Sequence, residues 1–219
     1  EINLFFELCP ARVLGVTGTV GKTTTVSMIG RALTGGALAG GVWVGGNIGR
    51  SLLDELSQMS EADLVVLELS SAQLYRLGPT GRAPQVSVVT NLSPNHIKWH
   101  GSMESYVAAK KNIIAHQSAG NLAVLNYDDA VLRAWGEERP EAALFFSVNQ
   151  EVPSGAFVRD GRLIARLDGE ETPVLDVRGM KLPGAHNVAN AAAAAAACAA
   201  VGADLRKAGA ALTRFEGAE

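Results

Sequence analysis

Residues Gly15–Thr25 read G-V-T-G-T-V-G-K-T-T-T and follow the apolar pair Val13-Leu14. A hydrophobic strand enters a glycine-rich turn, then a lysine, then hydroxyl residues that open a helix. That arrangement cradles a nucleotide polyphosphate: backbone N–H groups face the phosphates, and the new helix presents the positive end of its dipole. Lys22 would neutralise β- and γ-phosphate oxygens, and the Thr23 hydroxyl is placed to ligate magnesium. Gly18, Thr19, Gly21 and Thr24 complete the cradle. The usual spacing G-x-x-x-x-G-K-[ST] is missed by one residue, because Val16 stands where the first glycine belongs and Gly18 sits mid-loop.

Outward from this loop, apolar runs alternate with helical patterns. Strands are predicted at 13–17, 42–44, 64–69, 86–92, 122–126 and 144–148, and helices at 22–33, 51–58, 104–116 and 128–137. Such alternation predicts an α/β fold with a mostly parallel sheet and helices on both faces, and puts the phosphate loop at the carboxyl edge of the first strand. The pattern then changes. Short runs at 156–159, 163–167 and 173–177 are separated by Asp160-Gly161 and Asp168-Gly169, which are hairpin turn signals, so a small antiparallel sheet is expected. Two helices follow, an alanine-rich one over 186–201 and another over 204–215 that Asp204 caps.

The 219 residues carry a net charge of −3, which argues against a nucleic-acid surface, and 47% hydrophobic residues, ample for one core. No apolar run reaches the roughly 18 residues that span a membrane. The two cysteines, Cys9 and Cys198, lack metal-ligand spacing and read as reduced buried thiols.

Four further features carry chemistry. Glu68 interrupts the apolar run L-V-V-L-E-L near a strand's carboxyl end, where a carboxylate is costly unless paired or metal-bound. His96 follows another strand on T-N-L-S-P-N-H and enters the same edge, whereas His100 reads as structural. Lys110 and Lys111 read, from spacing alone, as a solvated pair. Asn187 and Asn190 lie one turn apart on one helix face, able to read an adenine edge with donor and acceptor together.

Taken together, T-G-T-x-G-K-T-T-T and G-x-H-N-x-x-N resemble the central ATP-binding domain of the Mur ligases, the ATP-dependent amide-forming enzymes of peptidoglycan precursor synthesis. The segments 45–49 (G-G-N-I-G), 67–74 (L-E-L-S-S-A-Q-L) and 91–110 (N-L-S-P-N-H-I-K-W-H-G-S-M-E-S-Y-V-A-A-K) are similar to the branch of that family joining D-glutamate to UDP-N-acetylmuramoyl-L-alanine. The resemblance runs from about Glu1 to Gly217. It implies that Lys22 and Thr23 hold the phosphates of ATP and one Mg2+, and that Glu68 and His96 are metal ligands. Lys110 matches the family's carbamylated lysine, a ligand for a second metal, against the reading from spacing. Lys22, Lys110 and His96 would form the catalytic set. Asn47, Ser70 and Gln73 would contact the muramoyl substrate, with Asn187 and Asn190 on the adenine side. The resemblance further implies a cytoplasmic enzyme with no nucleic-acid or membrane partner. Residues 1–10 would be the remnant of a UDP-binding domain or a linker, 11–215 the central domain, and 216–219 the start of a third domain. Three positions depart from the family pattern: Val20 in place of Asn, and Asn95 and Lys98 in place of Asp. Folylpolyglutamate synthases and other Mur ligases share the phosphate loop, but E-L-S-S-x-Q-L argues against them. A signalling or motor NTPase would carry a base-reading N-K-x-D, which this sequence lacks.

Overall fold

The computed structural model describes residues 1–47, 51–94 and 97–217, the side chains of Ile97 and Lys98 excepted. In chain order the helices are α1 (Ile2–Leu8), α2 (Lys22–Thr34), α3 (Ser71–Leu77), α4 (Ile97–His100), α5 (Met103–Ala115), α6 (Ala130–Glu137), α7 (Ala185–Ala200) and α8 (Leu205–Thr213). The strands are β1 (Arg12–Thr17), β2 (Val42–Gly46), β3 (Leu64–Glu68), β4 (Val86–Val89), β5 (Leu122–Asn126), β6 (Ala143–Ser147), β7 (Gly155–Arg159), β8 (Arg162–Leu167) and β9 (Glu170–Asp176).

These nine strands form one sheet in the order β2-β3-β1-β4-β5-β6-β7-β8-β9. Pairing is parallel from β2 through β7, and antiparallel from β7 to β9. The central strands are buried along their length, so their sequences are nearly continuous apolar runs, as a sheet covered on both faces requires. Alternate residues serve opposite faces. Leu14, Leu64 and Val66 pack with α2, α7 and α8, while Val13, Val65 and Leu67 pack with Phe5 of α1, Leu74 of α3, Ile113 of α5 and Trp135 of α6.

From β1 the chain crosses to the β2–β3 side, then returns over β1 to β4. The strand order therefore reverses beside β1, where open α/β sheets form a crevice at their carboxyl edge. The glycine-rich loop at 18–21 leaves β1 there.

The expected antiparallel strands are present as β7–β9, and they extend the main sheet, because β7 pairs in parallel with β6. Gly155 makes this possible: its φ is +125°, and a Cβ there would lie 1.8 Å from the Phe145 carbonyl oxygen. The two Asp-Gly turns behave as read, with positive φ at both residues of each, which matches a two-residue hairpin loop. The alanine run of α7 is buried from 191 to 199, its small side chains giving close packing over the sheet and α2. A short α3, missed in the sequence, starts at a capping box in which Ser70 and Gln73 bond each other's backbone N–H.

Candidate active site

The loop between β1 and α2 is held from outside by the exit of β4. Thr90 N–H donates to the Thr17 carbonyl at 3.0 Å, and Thr19 N–H to the Asn91 carbonyl at 3.0 Å. Asn91 also clasps the Val20 peptide. Its Oδ1 accepts from Val20 N–H at 3.0 Å and its Nδ2 donates to the Val20 carbonyl at 3.0 Å. Thr90 Oγ1 donates to the same carbonyl at 2.7 Å. Gly18 is required by this closeness, since a Cβ there would sit 1.9 Å from Thr90 Oγ1. Gly21 ends the loop at φ +82° and caps α2, with Asn190 of α7 pressed against it.

Two lysines meet on the loop. Lys22 Nζ donates to the carbonyls of Gly18 (3.1 Å) and Thr19 (3.0 Å). Lys110 Nζ, from α5, donates to the same Gly18 carbonyl at 2.8 Å and to Thr17 Oγ1 at 3.0 Å. Lys110 is only 2% exposed, which overturns the solvated-pair reading from spacing. Its neighbour Lys111 takes the outward position and pairs with Glu138 at 2.9 Å. Burial, then the charge of Lys22, pushes the Lys110 ammonium down from 10.5 to about 7, with Glu68 opposing.

Glu68 is buried at the end of β3. Its Oε2 accepts from Thr23 Oγ1 at 2.6 Å and its Oε1 from Asn47 Nδ2 at 3.1 Å. This joins three of the residues named from sequence. The donor set is hard oxygen, a carboxylate beside a hydroxyl, which suits Mg2+. Ser70 and Gln73 stand just beyond β3, each engaged in the cap of α3, and Ser71 Oγ lies 2.9 Å from His100 Nε2. His96, Asn95, and Ile48 to Arg50 lie outside the described residues.

On the other side of the loop, a cavity of about 400 Å³ is lined by Val20, Gly21, Thr24, Asn126, Asn187 and Asn190, among others. The two asparagines were expected here, but the nearer one also shapes the loop. Asn190 Oδ1 accepts from Thr25 Oγ1 at 3.3 Å, and Asn187 Nδ2 donates to the Pro183 carbonyl at 2.7 Å.

Several supporting residues escaped the sequence reading. Asp129 Oδ1 caps α6 while its Oδ2 accepts from Leu92 N–H at 2.9 Å, fixing the β4 exit. Asn126 Nδ2 donates to the Thr90 carbonyl at 2.8 Å. Tyr106 is 1% exposed and contacts both Thr19 and Lys110. Its place four residues before Lys110, on the same helix face, was the one available signal.

The Mur ligase middle domain family matches residues 16–198. A UDP-N-acetylmuramoylalanine–D-glutamate ligase of Symbiobacterium thermophilum is 45% identical over 222 aligned residues, covering 100% of this chain and 48% of the relative. The chain thus spans about half the length of that relative. Among solved structures, a UDP-N-acetylmuramoyl-L-alanyl-D-glutamate–2,6-diaminopimelate ligase superposes with a TM-score of 0.76 at 24% identity, over 96% of this chain and 47% of its own. A MurF ligase from Thermotoga maritima, determined in complex with ADP, gives 0.67 at 24% identity, over 97% and 51%. These structures share the fold, and the sequence match carries the kinship: the chain belongs to the Mur ligase family, as its middle domain.

Proposed function

We propose that the chain binds ATP with Mg2+ and forms the nucleotide-binding part of a ligase that joins D-glutamate to UDP-N-acetylmuramoyl-L-alanine in peptidoglycan precursor synthesis. The observation that carries this reading is the meeting of Lys22 and Lys110 on the Gly18 carbonyl, beside the Thr23–Glu68 pair. Lys22 and the N-terminus of α2 both present positive charge to this loop, which suits a polyphosphate.

In this reading the first-turn N–H groups of α2, which no helix carbonyl can satisfy, bind the phosphates. Lys22 exchanges its loop carbonyls for β- and γ-phosphate oxygens. The cavity beside Asn187 and Asn190 takes the adenosine. Thr23 and Glu68, with His96, would hold magnesium, which when bound draws charge from the γ-phosphate. A Lys110 pKa of about 7 leaves much of its amine neutral at physiological pH. A neutral amine can add CO2, forming one N–C bond and releasing one proton. The neutral amine thereby becomes a carbamate anion, which would be able to ligate a second metal. Asn47, Ser70 and Gln73 would face the muramoyl peptide. Its carboxylate would attack the γ-phosphorus, breaking the bond to the bridging oxygen and releasing ADP, to give an acyl phosphate; the D-glutamate amine would then displace phosphate and lose a proton. The protein's share is orientation and electrostatic stabilisation. A cytoplasmic setting follows from these substrates; among the described residues no helix is long and apolar enough to cross a membrane.

The test uses the full-length protein. ADP release is expected to require UDP-N-acetylmuramoyl-L-alanine, with the dipeptide product appearing on addition of D-glutamate. ADP released at the same rate without the acceptor would identify a plain nucleotide hydrolase instead.

A further inference from the structure

Tyr106 lies in α5, one turn before Lys110, and none of the motif positions assigns it a role. Its hydroxyl is 3.0 Å from Thr19 Oγ1, in the middle of the phosphate loop. The direction of that bond follows from the other partners of Thr19. Thr19 Oγ1 donates its single hydrogen to the Ser93 carbonyl at 3.1 Å and accepts from Ser93 N–H at 2.9 Å. One lone pair remains, so Tyr106 is the donor. The hydroxyl of Thr19 is then fully used, and all three bonds tie the loop to the β4 exit and α5.

The rest of the ring is equally committed. Lys110 Nζ lies 4.9 Å from its centroid, within cation–π range. The His100 ring meets it edge-on at 5.4 Å, and His100 in turn reaches Ser71 at the start of α3. One buried side chain therefore touches the phosphate loop, the buried lysine, and the helix pair leading toward Ser70 and Gln73.

We propose that Tyr106 is a positioning residue for the phosphate loop: its hydroxyl fixes Thr19 while its ring packs on Lys110, so the two halves of the site are set by one side chain. This rests on the nucleotide reading above. It acts through Thr19 and touches no phosphate itself. A loop left to move by about 1 Å binds and aligns a nucleotide less well, even with Lys22 intact.

The experiment is a double-mutant cycle on ATP affinity, by calorimetric titration of this chain with MgATP, with the thermal unfolding midpoint recorded for each variant. Tyr106→Phe keeps the ring and removes the donor; Thr19→Val removes its acceptor at constant shape. Tyr106→Phe is expected to weaken ATP binding about 3- to 10-fold, the scale of one hydrogen bond. In the Thr19→Val background the same change should have little further effect, because the bond is already gone. ATP affinity unchanged in Tyr106→Phe, with only the unfolding midpoint lowered, would mean that the tyrosine merely packs, and would overturn the proposal. Fully multiplicative losses would do the same. Lys22→Ala separates the two levels of failure. If that variant loses ATP while Tyr106→Phe does not, only the Tyr106 assignment falls. If Lys22→Ala binds ATP as well as the unsubstituted chain, the nucleotide reading falls, and this inference with it.

Discussion

The two ends of the sheet handle charge in opposite ways. At β7–β9, Arg159 and Arg166 pair with Glu151 and Glu171 on an exposed face, all within a short stretch of chain. At the carboxyl ends of β1, β3 and β4, Lys110 and Glu68 are buried, and their hydrogen-bond partners come from segments 21 to 93 residues away in sequence. The hairpin end is built from local rules and tolerates water. At the loop end Lys110 and Glu68 are shut away from water, so each depends on partners that only the complete fold supplies. Changes at the second end should therefore be felt far more than equivalent changes at the first.

Glycine offers the sharpest contrast. Gly18→Ala puts a Cβ 1.9 Å from Thr90 Oγ1 at a φ of +152°. It should cost about 3 kcal/mol or more in denaturant unfolding and abolish detectable ATP binding. Gly169→Ala, in the β8–β9 turn, meets nothing within 4 Å at a φ of +81°, so only the backbone penalty of about 1–2 kcal/mol remains. Equal losses at both sites would remove the distinction between a packed loop and an open turn.

Lys110 sets the next largest effect, one of pH. In metal- and nucleotide-free protein its folded pKa of about 7 lies below the ordinary 10.5. Between those values the unfolded chain keeps a proton that the folded chain has lost, so stability rises with pH across this window and is lost as pH falls toward 7. Lys110→Met should flatten that rise and, at pH 6, where a buried charge must otherwise be carried, stabilise the fold by about 1–3 kcal/mol. A parent profile flat from pH 7 to 10 would contradict the burial argument.

At the hairpin end, Glu171→Gln removes a carboxylate bonded to both Arg159 and Arg166. The group is exposed and screened, so the unfolding midpoint should move by only about 1–2 °C, and less in high salt. A shift rivalling that of Gly18→Ala would show that the surface pairs matter as much as the buried ones.

The same contrast explains what could be read in the sequence. The Asp-Gly turns, the apolar strands and the alanine helix declare themselves within a few residues. So does the glycine-rich loop between β1 and α2, because its glycines and Lys22 are contiguous. The joining of β7 to β6 did not, since it hangs on one glycine approaching a distant backbone. Ala108 and Ala109 beside the lysines hinted that one turns inward, but only the family resemblance picked Lys110; adjacent lysines look alike until the helix is docked. Asp129, Asn91 and Tyr106 were hidden for the same reason: each acts on a loop whose sequence address lies more than 30 residues away. Ser70 and Gln73 showed as candidate substrate contacts, while their mutual capping box, also spelled by S-x-x-Q, passed unnoticed.

The central claim is that the loop at 18–23 binds nucleotide phosphate through Lys22. Calorimetric titration of MgATP into the chain and into Lys22→Ala tests it most directly. The account predicts saturable binding to the chain, weakened about 10- to 100-fold by the substitution, the scale of a lost charge-assisted hydrogen bond. It also predicts an unfolding midpoint nearly unchanged, because among the described residues Lys22 bonds only loop carbonyls. Equal affinity in the two proteins would contradict it.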